Sequence, residues 1–249
     1  MMDLPLDKPA GVLIKTTLVD YPGHVAGSFF LKGCNLRCPY CYNIGLVLPE
    51  VNPDDLSTVQ QVFDHLEKRK NVLSAFVISG GEPLINAYTP LIIKKAKELG
   101  YKVKIDTNGL LPDKLQALLN DERLKPDFIA LDIKTRPARY AEVMCEKNFK
   151  YFNNPQYFID TLSKSIKIVS SLPAENREFR TVLVPPLIQK GDIKEIAALL
   201  PADASWQFAQ FQNSNCLDPS YNEIYPYTDN EAKDLIEYAK SFIPGAALR

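Results

Sequence analysis

Short apolar runs alternate along this chain with longer stretches whose apolar residues recur every three or four positions. The first pattern predicts buried strands and the second amphipathic helices. Val25–Leu31 reads as a strand. Ser57 then caps a helix to about Lys68, with Val59, Val62, Phe63 and Leu66 on one face. Ala75–Ile78 is the next strand, and Thr89-Pro90 an N-cap with proline at the first helical position; Gly100 ends that helix. The order repeats four times more. Strand Lys102–Asp106 precedes a helix from Pro112, and strand Phe128–Leu131 precedes a helix from Asn154-Pro155 to about Leu172. Strand Phe179–Val184 precedes a helix over Asp192–Leu200, and strand Trp206–Phe211 a helix over Asp229–Phe242.

Strict alternation of strand and helix predicts an α/β fold with a parallel sheet and right-handed crossovers. Six units are too few for a closed eight-stranded barrel, so the expectation is a partial, open (β/α)6 TIM-like barrel. It forms a single domain over residues 1–249: a lead-in over 1–24, then the six units over 25–249. The loops after the strands gather at one face, where such folds place their chemistry.

Those loops hold the unusual residues. After the first strand come Cys34, Cys38 and Cys41, spaced C-x3-C-x2-C. Later loops carry Ser79-Gly80-Gly81-Glu82-Pro83, Asp106-Thr107-Asn108-Gly109, Asp132-Ile133-Lys134, Val184-Pro185-Pro186, and Gln210 with Gln212. Iron prefers soft thiolates, and a cubane iron–sulfur cluster is normally held by four. A loop offering three leaves one iron open to a non-protein ligand, the mark of a metal that does chemistry. A structural zinc site would want a second ligand pair; Cys145 and Cys216 are isolated, and His24 and His65 are the only histidines. Five cysteines, three in one loop, do not make a disulfide framework. Cys145 and Cys216 read as buried, inert thiols.

Composition narrows the setting. The 249 residues are 46% apolar and 24% charged, enough for a large core. A net charge of −1 argues against nucleic acid as main partner. No run of apolar residues reaches membrane-spanning length, and the N-terminus lacks the pattern of a secretory signal. Metal-binding thiolates need a reducing compartment, so a cytoplasmic location is expected.

The C-x3-C-x2-C loop, with Tyr40 before its third cysteine, and Gly80-Gly81-Glu82-Pro83 together resemble the radical S-adenosylmethionine enzymes. Four further segments resemble the glycyl-radical-enzyme activases within that superfamily: Thr16–Gly23 (T-T-L-V-D-Y-P-G), Asp106–Gly109, Leu131–Lys134 and Arg180–Pro185. The similarity covers nearly the whole chain. It departs at Tyr42, where activases usually carry histidine, and the chain lacks the ferredoxin-like insert of some activases, so one cluster is implied.

The resemblance implies a [4Fe–4S] cluster on Cys34, Cys38 and Cys41 with S-adenosylmethionine on the open iron. Reductive cleavage gives methionine and a 5′-deoxyadenosyl radical, which takes a hydrogen atom from a glycine Cα of a partner. That partner would be an enzyme like anaerobic ribonucleotide reductase or pyruvate formate-lyase. Gly80 and Gly81 would let backbone approach the cofactor, Glu82 and backbone oxygens would accept from its ammonium, and Pro83 would fix the turn. Lys134 would meet its carboxylate; the alternative is a solvated strand-end lysine. Tyr40 would stack near the adenine or pack into the core, and Asn43 would bond the cofactor or cap a turn. Asn108 belongs to the same set, and Arg180 would reach the cofactor or pair with an acid. Asp106, Thr107 and Asp132 form a possible monovalent-cation site by the same resemblance, the alternatives being an N-cap and an Asp132–Lys134 salt bridge. Asp20, Tyr21 and Pro22 would line the partner's entrance or form an ordinary turn. A flavodoxin or ferredoxin would supply the electron, and a monomer is expected. Two alternatives stay open: a radical S-adenosylmethionine enzyme acting on a small molecule, as in deazaguanine biosynthesis, and a non-catalytic iron–sulfur electron carrier.

Overall fold

The computed structural model describes residues 4–48, 56–144 and 149–249. Cys145 and the first three residues of the lead-in lie outside them. The chain gathers into two compact units, each assembled from separated segments. The first takes Met1–Asn35, Gly45–Thr107 and Asp113–Ile129; the second takes Leu36–Ile44, Asn108–Pro112 and Ala130–Arg249. No single cut along the chain divides them.

The elements of the first unit, in chain order, are β1 (Pro9–Thr17), β2 (Ala26–Leu31), α1 (Ile44–Val47), β3 (Ser57–Thr58), α2 (Val59–Arg69), β4 (Ala75–Gly80), α3 (Thr89–Glu98), β5 (Lys102–Thr107), α4 (Pro112–Asn120) and the start of β6 (Phe128–Asp132). Strand order is β3-β1-β2-β4-β5-β6. β2, β4 and β5 run parallel, with Ala26 beside Ala75 and Ala75 beside Lys102. Their C-terminal ends therefore point the same way, and deliver Gly33-Cys34, Gly81–Pro83 and Thr107 to one side. Phe29, Phe76, Ile78, Val103 and Ile105 are fully buried, met by Val59, Val62 and Leu66 of α2 and Ile92, Ile93 and Ala96 of α3. Each such side chain contributes about 1.5–3 kcal/mol by leaving water.

The lead-in is itself a strand. β1 pairs antiparallel with β2, Gly11 opposite Leu31, and β3 pairs antiparallel with β1. β1 is half exposed, with only Ala10 and Gly11 buried, so it carries no apolar run for the sequence to show. Two caps also differ from expectation. Ser57 lies in β3 and Thr58 caps α2, its side chain accepting from Gln61 N–H in a capping box. Thr89 is the first residue of α3 rather than its cap, and its hydroxyl donates to the Pro83 carbonyl at 2.6 Å.

The second unit continues with the end of β6, then α5 (Tyr140–Val143), α6 (Pro155–Ser170), β7 (Arg177–Leu183), α7 (Lys190–Ala197), β8 (Trp206–Gln210), α8 (Asp229–Lys240) and β9 (Ala246–Leu248). Strand order is β6-β7-β8-β9, and β7, β8 and β9 run parallel. Asn154 caps α6 as expected, accepting from Tyr157 N–H. Trp206 is fully buried; its indole N–H donates to Thr181 Oγ1 at 3.0 Å, and Thr181 donates on to the Ile133 carbonyl at 2.9 Å. The polar end of the largest core side chain is thereby satisfied. The α/β class with a mostly parallel sheet is as expected; β1, β3 and β9 are additions.

Candidate active site

In the first unit, the root of the cysteine loop and the Gly-Gly-Glu turn are built onto one another. Gly33 takes a positive φ of 91°, and its N–H donates to the Leu46 carbonyl at 2.8 Å. Its carbonyl accepts from Glu82 N–H at 2.8 Å, while Gly81 N–H donates to the Leu31 carbonyl at 2.9 Å. A Cβ on Gly81 would lie 1.9 Å from Gly33 O and 3.1 Å from Cys34 Cβ; one on Gly80, with φ of 118°, would lie 2.3 Å from Leu31 N. The two glycines are thus required by the chain's own backbone contacts.

The Glu82 carboxylate is fully buried and accepts from Leu84 N–H at 3.1 Å and from the Thr107 hydroxyl at 2.8 Å. Pro83 opens a 3-10 turn over Pro83–Ile85. Asp106 accepts from the Ser79 hydroxyl at 2.9 Å and pairs with Lys104 at 3.1 Å. Lys104 is fully buried; it also donates to the Asp20 carbonyl at 2.7 Å and lies 5.7 Å from the Phe128 ring centroid. Asp20 Oδ2 accepts from Ser28 at 2.6 Å. Tyr21 is a core residue beside Phe128, its phenol pushed up to about 12 by burial and then by the Asp127 charge. Leu18 and Val19, before it, are exposed.

In the second unit the cysteine loop is held from two directions. Arg37 N–H donates to the Met144 carbonyl at 2.8 Å. Leu217 N–H donates to the Cys41 carbonyl at 3.0 Å and Asp218 N–H to the Pro39 carbonyl at 2.9 Å. Neighbouring Cys216 is tied by its N–H to Asn222 Oδ1 at 2.9 Å. Its thiol is pushed up by burial, then by nearby Cys41. Tyr40 is buried edge-on to Phe211, ring centroids 6.5 Å apart, and its phenol oxygen has no hydrogen-bond partner among the described residues. Burial raises that phenol well above its usual range. Asn43 is half-buried and Tyr42 exposed. Asn108 is buried, its Oδ1 accepting from Leu110 N–H at 3.0 Å, an Asx turn.

Asp132 sits between two cations. Arg180 Nε reaches Oδ1 at 2.6 Å and Lys134 Nζ reaches Oδ2 at 2.8 Å. Burial works to raise the carboxyl, but Arg180 and Lys134 outweigh it and hold the group well below the usual carboxylate range. Lys134 N–H donates to the fully buried Tyr140 hydroxyl at 2.8 Å. Lys134 therefore stands as the salt-bridge partner of Asp132, and Arg180 as a residue paired with an acid.

Cys34, Cys38, Cys41 and Cys216 are all free thiols. Among the described residues no three His, Cys, Asp or Glu side chains are already gathered for a metal ion. The donor set nevertheless fits an iron–sulfur cluster: three thiols outside any disulfide, on one loop held by backbone hydrogen bonds. Asp106 and Thr107 in the first unit and Asp132 in the second are each engaged by side chains of their own unit. Sequence reading missed Lys104, Tyr140 and the Cys216–Asp218 tether. Lys104 was discoverable: it shares strand parity with Asp106, so both point to the same face. Nothing in the sequence links Leu217 to Cys41, 176 residues earlier by number.

Comparison with known proteins supplies the context. Residues 28–185 match the family model described as the Radical SAM superfamily. A protein of Methanocaldococcus jannaschii, named only provisionally as a glycyl-radical enzyme activating enzyme, is 30% identical over 95% of this chain and 94% of its own length. A 7-carboxy-7-deazaguanine synthase of Methanopyrus kandleri is 32% identical over 41% of this chain and 46% of its own. The crystal structure of QueE from Escherichia coli aligns with a TM-score of 0.54 at 14% identity, covering 97% of this chain and 92% of that one, a likeness of fold.

Proposed function

Because this chain belongs to the radical S-adenosylmethionine superfamily, we propose that it is an activase that installs a glycyl radical on a partner enzyme. The observation that carries the reading is the similarity to the M. jannaschii protein, which runs over 95% of this chain. Similarity to 7-carboxy-7-deazaguanine synthases covers less, 41% of the chain for the M. kandleri protein and 68% at 28% identity for that of Hyperthermus butylicus.

A [4Fe–4S] cluster with S-adenosylmethionine would supply the one-electron reductive chemistry needed for hydrogen abstraction from a glycine Cα. Cys34, Cys38 and Cys41 hold the cluster. Lys134 keeps one N–H on Asp132 and has further donors for the methionine carboxylate. The unpartnered Tyr40 phenol is a buried polar atom suited to the nucleoside side of the cofactor. Glu82, braced by Leu84 and Thr107, keeps the glycine turn rigid beneath it. Exposed Leu18 and Val19, beside the anchored Asp20, support entry of the partner's loop here. The electron comes from a flavodoxin or ferredoxin, and the setting is a reducing compartment. No helix among the described residues is long and apolar enough to cross a membrane.

The test is anaerobic reconstitution with iron and sulfide, then reduction in the presence of S-adenosylmethionine. 5′-Deoxyadenosine should form, and Cys38→Ala should abolish it. Candidate glycyl-radical enzymes are then added and a glycine-centred doublet is sought by electron paramagnetic resonance. Deoxyadenosine without a doublet on any such enzyme, but with turnover of a purine-like small molecule, would replace the activase reading.

A further inference from the structure

We propose that this chain carries its own cations at Asp106 and Asp132 and works without a monovalent metal ion. The inference concerns the cofactor end of the site. It depends on superfamily membership and not on the activase reading.

Each carboxylate is paired with a cation of the protein itself. At Asp106, Oδ1 faces the Lys104 ammonium at 3.1 Å and Oδ2 accepts from Ser79 at 2.9 Å. At Asp132, Oδ1 accepts from Arg180 at 2.6 Å and Oδ2 from Lys134 at 2.8 Å. The Thr107 hydroxyl is turned to Glu82. Hard cations are held by several oxygens converging on one point, whereas in each unit the carboxylate is paired with an ammonium or guanidinium group of its own unit.

Lys104 is the decisive residue. Its side chain is 0% exposed, on a strand whose other buried positions are apolar or part of the Asp106-Thr107 turn. A buried ammonium is unfavourable unless paired and hydrogen-bonded. This one has a carboxylate, the Asp20 carbonyl at 2.7 Å and the face of Phe128. An ammonium is close to a potassium ion in size and charge, and here a four-carbon stem tethers it to the strand. A metal ion on the same carboxylate would meet a like charge at contact distance with little solvent to screen it. Lys104 is thus a positioning residue. It ties the Asp20 turn to Asp106, and through Ser79 to the strand that ends in the Gly80-Gly81-Glu82 turn.

The reconstituted full chain is compared in choline, sodium and potassium chlorides at equal ionic strength. Wild-type melting temperature and S-adenosylmethionine affinity should agree among the three salts within about two-fold in affinity. Lys104→Met removes the charge and keeps the stem's volume. It should melt lower in choline and recover by about 3–6 °C in potassium but not in choline. Thallium-205 magnetic resonance should show saturable binding to Lys104→Met alone. Potassium raising wild-type affinity more than about five-fold over choline, or saturable thallium binding to wild type, would overturn the proposal. So would a Lys104→Met protein that loses stability equally in all three salts. If that variant does not fold, the wild-type salt and thallium comparisons decide by themselves.

Discussion

Gly81 rests flank-on against the carbonyl of Gly33, leaving no room for a methyl group between them. The contact joins the turn that ends β4 to the residue before the first cysteine. Gly81→Ala should therefore push Cys34 out of place. We expect a loss of about 1–3 kcal/mol in stability and a several-fold drop in iron bound after reconstitution. Gly191→Ala is the control. A Cβ there meets nothing, the residue lies in α7, and the substitution should be neutral or stabilising by up to about 1 kcal/mol. Equal iron loading of Gly81→Ala and wild type would contradict the structural role.

The Asp132 carboxyl titrates well below its ordinary value because of Arg180 and Lys134. A depressed carboxylate stabilises the fold above its unfolded pKa, about 3.9, and that contribution fades as pH falls toward the folded value. Melting temperatures of the iron-free chain should therefore fall more steeply from pH 5 to 3 in wild type than in Asp132→Asn. At pH 7 the variant should be less stable by roughly 1.5–3 kcal/mol. Parallel acid limbs in the two proteins would count against the pair.

Cys216 is close enough to Cys41 for the two thiols to influence each other, yet it sits on a separate loop with its Sγ toward the Gln212 carbonyl at 3.8 Å. It should not be a cluster ligand. Cys216→Ala should reconstitute with the same iron and sulfide content and the same visible absorbance as wild type. A variant that cannot hold the cluster would mean the fourth iron is closed by protein, and radical chemistry would lose its open site.

Asn222 holds Cys216 N–H, and the next two residues hold the Cys41 and Pro39 carbonyls. Its own carbonyl accepts from Asn213 Nδ2 at 3.2 Å. Asn222→Ala removes the side-chain oxygen that accepts from Cys216 N–H, a change of about 1 kcal/mol, and should loosen the tether without unfolding the unit. We expect iron to be lost to a chelator several times faster, with a shift in melting temperature of only a few degrees. Unchanged chelation kinetics would show that the tether is incidental.

How much the sequence disclosed depended on the range of the interaction. The strand runs and helix stripes were legible because periodicity is local: Asn154 caps α6 where expected, and β2, β4, β5, β7 and β8 fall within a few residues of their apolar runs. β1 escaped because it is half exposed and carries no continuous apolar stretch, and β3 and β9 are too short to carry a period. In the site, the residue types were legible but their partners were not. Asp106, Asp132, Lys134 and Arg180 were all recognised as unusual; that each carboxylate meets a resident cation follows from strand neighbours and a buried lysine, which spacing along one segment does not reveal.

The amide of Lys32, one step before the loop's first glycine, donates to the carbonyl of Ala10 in β1. The cysteine loop is in this way stitched to β1, whose outer neighbour is only the two-residue β3, a place where local opening costs little. Cluster retention and oxygen tolerance should therefore respond to whatever is done near Pro9–Gly11: an affinity tag, a protease nick or a crowding fusion at that end would act on the metal without touching any thiol.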